Sequence, residues 1–146
     1  MSTIKITKQF SFEMAHALLH YDGLCQNIHG HSYKMDVTVT GAPSKNADSP
    51  KVGMVMDFGD LKRVVNETIV DEMDHALVLN EGSDQTLIDS LKNNYKKVVT
   101  VPFQPTTENL LQLFAERLQA KLPKTVELYA IKLRETDSSY AEWCKD

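Results

Sequence analysis

Three histidines occupy positions from which they could bind one metal ion. The stretch from Cys25 to Gly41 is CQNIHGHSYKMDVTVTG, and its second half has the β-branched run of a strand. Counting back from Val39 in steps of two places His29 and His31 on the same strand face as the apolar residues. Imidazoles directed toward a core need polar partners. The spacing therefore raises the question of what these two rings bind.

A third histidine lies in the same phase on an earlier strand. The segment Phe10–His16 alternates apolar and polar residues and ends at His16. Three neutral imidazoles suit zinc and leave a fourth tetrahedral position open, which is the arrangement of catalytic sites. Each histidine could instead be a core residue satisfied by the backbone. Because His16, His29 and His31 share one phase, we favour metal binding and predict a Zn²⁺ site.

Cys25 lies four positions before His29, on the loop between the two strands. Nearby positive charge would lower the pKa of its thiol, and the thiolate would then be available as a base or nucleophile. The same thiol could be a fourth zinc ligand, which would make the site closed and structural. The residues alone leave both interpretations open.

Two further titratable groups could take part in chemistry. Asp74 and His75 are adjacent, and adjacent side chains on a regular helix point apart, so they can cooperate only if the backbone turns there. Otherwise they are a helix-end acid and a surface histidine. Glu135 shares the phase of Tyr129, Ile131 and Leu133, which places it toward the covered face. A buried carboxylate there suits a ligand that offers two N–H groups side by side.

The elements that must position these residues are two long strands, two helices and a last strand. In chain order we predict a strand over Ile4–His16, a loop over Leu18–Ile28, a strand that ends at Gly41, a short strand over Gly53–Met56, a helix that begins at Asp57, an extended piece over Val98–Pro102, a helix that begins within Pro105–Glu108, and a strand over Val126–Glu135. The polar stretch from Glu81 to Lys97 has no clear period. This order predicts an α+β domain with an antiparallel sheet, whose open edges subunit pairing could cover.

Composition excludes several classes of protein. The 146 residues fit one domain over 1–146, and the net charge of -4 provides no basic stripe for nucleic acid. The N-terminus lacks the apolar core of a signal peptide, and no run of residues is long enough to cross a bilayer. We therefore expect a cytoplasmic protein in which Cys25 and Cys144 are free thiols.

The residues together resemble the 6-pyruvoyl-tetrahydropterin synthase and 6-carboxytetrahydropterin synthase group. The matching motifs are Phe12-Glu-Met-Ala-His16, Cys25-Gln-Asn-Ile-His29-Gly-His31, Met56-Asp-Phe58, Leu61-Lys, Asp74-His75, Pro105-Thr-Thr-Glu108-Asn and Leu133-Arg-Glu135-Thr. The resemblance implies a tunnelling fold, with a four-stranded antiparallel sheet and two helices on one face. It also implies that trimers join their sheets into a barrel and that two trimers stack as a homohexamer.

The same resemblance implies roles for the site residues. His16, His29 and His31 would bind zinc, and Cys25 would form a proton-transfer set with Asp74 and His75 of a different subunit. Glu135 would anchor the pterin. The pterin recess would be lined by Thr106, Thr107 and Glu108. The segment between Asn80 and Pro105 is longer than in compact members of the family, which leaves the pocket rim in that region unassigned.

Spacing within the group favours one reaction. Three residues separate Cys25 from His29, as in the bacterial 6-carboxytetrahydropterin synthases of queuosine precursor synthesis, whereas animal pyruvoyl enzymes have five. We therefore predict a lyase that converts 7,8-dihydroneopterin triphosphate to 6-carboxy-5,6,7,8-tetrahydropterin, acetaldehyde and triphosphate. The alternatives are a 6-pyruvoyl-tetrahydropterin synthase, a side-chain aldolase, against which Cys25 argues, and a non-catalytic zinc-stabilised binding module.

Overall fold

The computed structural model describes residues 2–146. Within that range the strands are β1 (Ile4–His16), β2 (His29–Gly41), β3 (Ala76–Asn80), β4 (Val98–Val101), β5 (Glu127–Thr136) and β6 (Ser139–Cys144). They form one sheet in the order β4-β3-β1-β2-β5-β6. The sheet therefore ends at β4 on one side and at β6 on the other.

The helices begin where local capping chemistry predicts them. They are α1 (Phe58–Val65), α2 (Asp71–Met73), α3 (Gln85–Asn94) and α4 (Thr107–Lys121), and a π-helical turn over Asn66–Val70 joins α1 to α2. The Asp57 carboxylate accepts a hydrogen bond from Gly59 N at 2.6 Å, and Thr106 Oγ1 accepts one from Asn109 N at 3.2 Å. The helix starts predicted at Asp57 and within Pro105–Glu108 are confirmed.

The core lies between the helices and one face of the sheet. Strands β1 and β2 pair in antiparallel register from Ile4 opposite Gly41 to His16 opposite His29. Their alternate residues are buried as the alternation predicts, and the helices contribute residues at helical spacing. The buried set includes Phe10, Phe12, Met14, Tyr33, Met35, Val37, Val39, Leu61, Val65, Ile69, Met73, Leu110, Leu111, Phe114 and Leu118. The same alternation directs the histidines of both strands to the covered face.

The sheet is larger than the four antiparallel strands predicted from sequence. Strand β3 pairs with β1 in parallel, and β4 pairs with β3 in parallel. Strand β6 pairs with β5 in antiparallel register, with Trp143 and Ala141 packed on the core. Strand β6 was not predicted from sequence. The α+β tunnelling-fold prediction holds, with strands added at both edges of the predicted core.

Two local predictions are wrong, and one stretch for which no element was predicted contains a helix. The stretch 53–56 is a turn rather than a strand, because Gly53 has φ of +83° and its N–H bonds to Ser44 O within the same connection. The stretch 81–97, for which we found no period, contains helix α3, whose start Asp84 caps. The sequence also placed Tyr129 on the covered face of β5. A bulge in the pairing of β2 with β5 shifts the alternation of inward and outward residues there, so that Leu128 is buried instead and Tyr129 lies under Lys5 Nζ.

Among the described residues, none of the helices combines the length and the apolar character that crossing a bilayer requires.

Candidate metal centre and active site

The three histidines form one cluster at the end of the β1–β2 pair. His16 is the last residue of β1 and is cross-strand partner of His29, the first residue of β2. The ring centroids lie 4.6 Å apart for His16 and His29, 5.3 Å for His16 and His31, and 5.0 Å for His29 and His31. The structure thus brings together the three residues that the sequence predicts as ligands.

Backbone carbonyls determine which nitrogen of two of the rings carries the proton. His16 Nδ1 lies 2.7 Å from Pro105 O, and His29 Nδ1 lies 2.7 Å from Asn27 O. A carbonyl oxygen only accepts hydrogen bonds, so both Nδ1 atoms must be donors. Both Nε2 atoms therefore carry a lone pair in the neutral rings. Metal-binding histidines typically bind the ion through one ring nitrogen and donate the N–H of the other to a carbonyl or carboxylate.

The two lone pairs face each other across a short gap. The Nε2 atoms of His16 and His29 are 3.1 Å apart. Two lone pairs at that distance repel unless a cation lies between them. Two nitrogen ligands of a tetrahedral zinc ion, with bonds of about 2.0–2.1 Å, lie about 3.3–3.4 Å apart. The spacing and the tautomers both fit a bound metal ion.

A shared proton is a poor substitute for that cation. Burial lowers the pKa of His16 below its usual value, and the nearby His29 ring acts in the same direction. The hydrogen bond to Pro105 and the Glu135 carboxylate oppose this shift, but burial is the larger effect. The His16 ring is therefore neutral near pH 7, and a metal ion is the better partner for the two nitrogens.

Glu135 adds a carboxylate to the cluster. Its Oε1 lies 2.7 Å from His31 Nε2 and 3.8 Å from His16 Nε2, and its Oε2 accepts a hydrogen bond from Thr107 Oγ1 at 2.7 Å. The contact with His31 lacks the geometry of a hydrogen bond, and among the described residues His31 Nε2 has no hydrogen-bond partner. His16, His29, His31 and Glu135 each present a ligand atom within 4.8 Å of the others.

Tyr33 continues the row of His29 and His31 deeper into the core. Its ring stacks on Phe12 at 5.3 Å between centroids, and its hydroxyl is buried with no hydrogen-bond partner among residues 2–146. Burial raises the pKa of this phenol, and the Glu135 carboxylate adds to the effect. Tyr33 is therefore a neutral phenol beside the cluster.

The backbone does turn at Asp74 and His75, so the two adjacent side chains can cooperate. His75 has φ of +66°, a left-handed conformation that is strained for a residue with a side chain. Asp74 Oδ1 lies 3.1 Å from His75 Nδ1 and accepts a hydrogen bond from Glu13 N at 2.9 Å. That bond from Glu13 is the main reason why the pKa of Asp74 is lowered, and His75 lowers it further. Asp74 can therefore orient the His75 ring.

Lys97, which lies just before β4, holds this turn. Its ammonium donates hydrogen bonds to Asp71 O at 2.8 Å and to Asp74 O at 2.7 Å. The His75 side chain is 74% exposed and lines a cavity of about 320 Å³ with Glu13, Ser32 and neighbouring residues of β1 and β2. The sequence analysis missed Lys97, and only its position just before a predicted extended piece could have drawn attention to it.

Cys25 lies on the loop that joins the cluster's two strands. It sits in a 3-10 turn over Leu24–Gln26, partly exposed, and its carbonyl accepts a hydrogen bond from Leu18 N at 3.0 Å. Among the described residues, neither the set of candidate ligand atoms nor the lining of the cavity beside His75 includes Cys25. Cys25 is therefore not one of the ligand atoms that lie within 4.8 Å of one another in this cluster.

The start of α4 and the residue two positions before it contact the cluster through Thr107, which the sequence predicted, and through Pro105, which it did not. Thr106 caps α4, Thr107 is buried against Glu135, and Glu108 is exposed in the first turn of the helix. Of these three predicted recess residues, Thr107 is the one bonded to a member of the cluster. Pro105 contributes its carbonyl, a group that every residue carries, so no sequence signal marks it.

Comparison with known proteins gives a consistent result. A family model described as 6-pyruvoyl tetrahydropterin synthase matches residues 5–145. A Haemophilus influenzae protein named 6-carboxy-5,6,7,8-tetrahydropterin synthase is 39% identical over 144 residues, covering 95% of this chain and 97% of that protein. A protein of the same name from a Synechocystis species is 32% identical over 139 residues, covering 94% and 91%.

Solved structures give the same fold. The structure of 6-pyruvoyl tetrahydropterin synthase from Plasmodium vivax superposes with a TM-score of 0.75 and covers 100% of this chain and 99% of its own. Its sequence is 20% identical to this chain, so the likeness bears on the fold alone.

Proposed function

Because this chain belongs to the 6-pyruvoyl tetrahydropterin synthase family, we propose that it is a lyase that forms 6-carboxy-5,6,7,8-tetrahydropterin. The substrates are 7,8-dihydroneopterin triphosphate and one water molecule, which supplies the second oxygen of the carboxylate, and acetaldehyde and triphosphate are released. The match to the Haemophilus influenzae relative, with its name and near-complete coverage, carries this proposal. The three-residue spacing between Cys25 and His29 also supports the carboxy product over the pyruvoyl one.

His16, His29 and His31 would hold the metal ion, which we infer is zinc. The tautomers set by Pro105 O and Asn27 O support this inference, because they leave Nε2 of two rings free to bind it. When bound, zinc supplies Lewis-acid polarisation of the hydroxyls on the substrate side chain. All other steps depend on groups of the protein itself.

Glu135 would bind the pterin ring. A carboxylate matches two parallel N–H groups, and Thr107 fixes one of its oxygens. Thr106 and Glu108 would complete the rim of this recess from the start of α4.

Cys25, Asp74 and His75 would transfer the protons. Cys25 as a thiolate would take a proton at the pterin side, and His75, oriented by Asp74, would exchange one with a side-chain hydroxyl. We propose that the complete site lies between subunits, with Asp74 and His75 from a different chain than Cys25, as the motif resemblance implies. Edge strands β4 and β6 would then join neighbouring sheets into the barrel of a trimer, and two trimers would form a homohexamer.

We also infer a biological setting from the product. 6-Carboxytetrahydropterin would serve queuosine precursor synthesis, and a small-molecule pathway of this kind suits a cytoplasmic enzyme. No nucleic-acid or membrane partner is proposed.

Product identification tests the reaction directly. The purified protein is incubated with 7,8-dihydroneopterin triphosphate, and acetaldehyde, triphosphate and the pterin product are measured. Acetaldehyde and triphosphate in equal amounts are expected. Triphosphate without acetaldehyde would instead indicate the pyruvoyl reaction.

The Cys25→Ala variant separates the enzyme from a zinc-stabilised binding module. We expect it to keep its zinc and lose turnover by at least about 10²-fold, the usual contribution of a proton-transfer group. The exposed Cys144 provides the matched control, and Cys144→Ala should retain wild-type turnover. Loss of both zinc and fold in Cys25→Ala would favour the binding module.

A further inference from the structure

One side chain outside the assigned site fastens the loop that carries Cys25. Gln104 Oε1 accepts a hydrogen bond from Leu19 N at 2.9 Å, and Gln104 Nε2 donates one to Leu19 O at 2.7 Å. The amide thus pairs with both backbone groups of Leu19, as a neighbouring strand would. The two residues are 85 positions apart in the sequence, so this pairing joins distant parts of the chain.

Gln104 is itself held in place. Its Oε1 also lies 3.3 Å from Asn80 Nδ2, and its backbone carbonyl accepts hydrogen bonds from Thr106 N at 2.8 Å and Asn109 Nδ2 at 3.0 Å. These contacts connect it to β3 and to the first turn of α4. The side chain therefore joins the Cys25 loop to ordered parts of the fold.

The loop transmits this restraint to Cys25 over a short distance. Leu18 N donates to Cys25 O at 3.0 Å, which closes the loop immediately beside the residue that Gln104 holds. The ends of the loop are already fixed, since His16 and His29 are paired across β1 and β2. Leu19 thus attaches the loop interior to the segment before α4 through both of its backbone groups.

We propose that Gln104 is a positioning residue that holds the Cys25 loop against the segment preceding α4 and so places the thiol for proton transfer. This inference rests on the proposed function of Cys25. It also gives a role to the long segment between Asn80 and Pro105, which the family resemblance left unassigned. Misplacement of a reacting group by about 1 Å can lower a rate about 10²-fold.

The first test replaces the amide by groups that lose one or both bonds. Gln104→Glu keeps the shape but sets a carboxylate oxygen against Leu19 O, and Gln104→Ala removes both bonds. Gln112→Glu makes the same chemical change at an exposed position of α4 and is the matched control. We expect kcat to fall about 10- to 100-fold in the Gln104 variants, with zinc content unchanged and KM within about threefold, because binding groups are untouched.

The second test measures the accessibility of the Cys25 thiol and does not depend on enzyme activity. In a Cys144→Ala background, iodoacetamide should alkylate Cys25 about tenfold faster in both Gln104 variants, since loss of one to two net hydrogen bonds shifts loop opening by about that factor. In the unsubstituted protein, the Leu19 amide should exchange with deuterium more slowly than the amide of the exposed Asp22 in the same loop.

The outcomes distinguish this inference from the proposed function. If the unsubstituted protein does not turn over the pterin triphosphate, the proposed function fails, whereas the alkylation and exchange measurements still decide whether Gln104 holds the loop. Unchanged kcat together with unchanged alkylation in Gln104→Ala would overturn the inference. Fast exchange of the Leu19 amide in the unsubstituted protein would also overturn the inference. This measurement needs no variant, so it decides the question even if the Gln104 variants do not fold.

Discussion

Replacing Glu135 by Gln separates two roles that the geometry gives to this carboxylate. Glu135 Oε1 lies 2.7 Å from His31 Nε2, which is close enough for both atoms to bind the same metal ion. A carboxylate that anchors the pterin must instead keep this oxygen free for the substrate. If Glu135 ligates the ion, the site is closed by four protein groups. If it anchors the pterin, three histidines hold the ion and the fourth position stays open.

The expected magnitude follows from the hydrogen bonds that the change removes. A carboxylate accepts two charge-assisted bonds from adjacent N–H groups, whereas glutamine accepts one and sets its own N–H against the other. Bonds to charged groups contribute about 1.5–3 kcal/mol each, and the lost bond plus the mismatched N–H together cost about 3–4 kcal/mol. That energy corresponds to a fall in kcat/KM of about two to three orders of magnitude.

Zinc content and steady-state kinetics are measured on the same preparation. We expect Glu135→Gln to retain wild-type zinc and to lose kcat/KM by the stated factor, while Glu116→Gln, a change at an exposed position of α4, leaves both unchanged. A variant that loses its zinc along with its activity would refute the anchoring role and make Glu135 a ligand. Wild-type kinetics with normal zinc would refute both roles.

Two further predictions concern the metal ion and the His75 turn. Adding Zn²⁺ to metal-free protein at about 100 times its dissociation constant should stabilise the fold by about 2.7 kcal/mol, which for a chain of this size raises Tm by about 5–10 °C. His29→Ala should abolish that rise, and an equal rise in this variant would contradict the histidine site. Lys97→Met removes the two bonds to Asp71 O and Asp74 O, so kcat should fall about tenfold with zinc content unchanged. Lys96→Met, at the exposed neighbouring position, should keep wild-type kcat, and a fall there would point to a general charge effect.

Local patterns predicted the parts of the fold that local chemistry determines. The caps at Asp57 and Thr106 need only a side-chain oxygen within a few residues of free N–H groups, so sequence identifies them. The alternation in β1 and β2 likewise placed His16 on the covered face, where it is 2% exposed. Both signals lie within a window of a few residues.

Long-range pairing produced the errors. Strand β4 is four residues long and gains its partner only when β3 lies parallel beside it, so its own composition says nothing about that neighbour. The bulge opposite Thr38 and Val39 inserts one residue into β5, and period-two counting from Glu135 back to Tyr129 fails at that point. Helix α3 has a single buried residue, Ile88, and so shows almost no apolar period.

The candidate site also has one part that local sequence predicts and one part that depends on long-range contacts. Its candidate metal ligands are imidazoles, which few positions carry, and their spacing can be recognised directly. The groups that orient them are the carbonyls of Pro105 and Asn27, and the first of these lies 89 residues from the histidine it contacts. Since every residue has a carbonyl, only the fold distinguishes the two that set the tautomers. The sequence therefore identifies His16 and His29 as candidate ligands, whereas the tautomers that leave their Nε2 lone pairs facing each other depend on contacts that only the three-dimensional arrangement supplies.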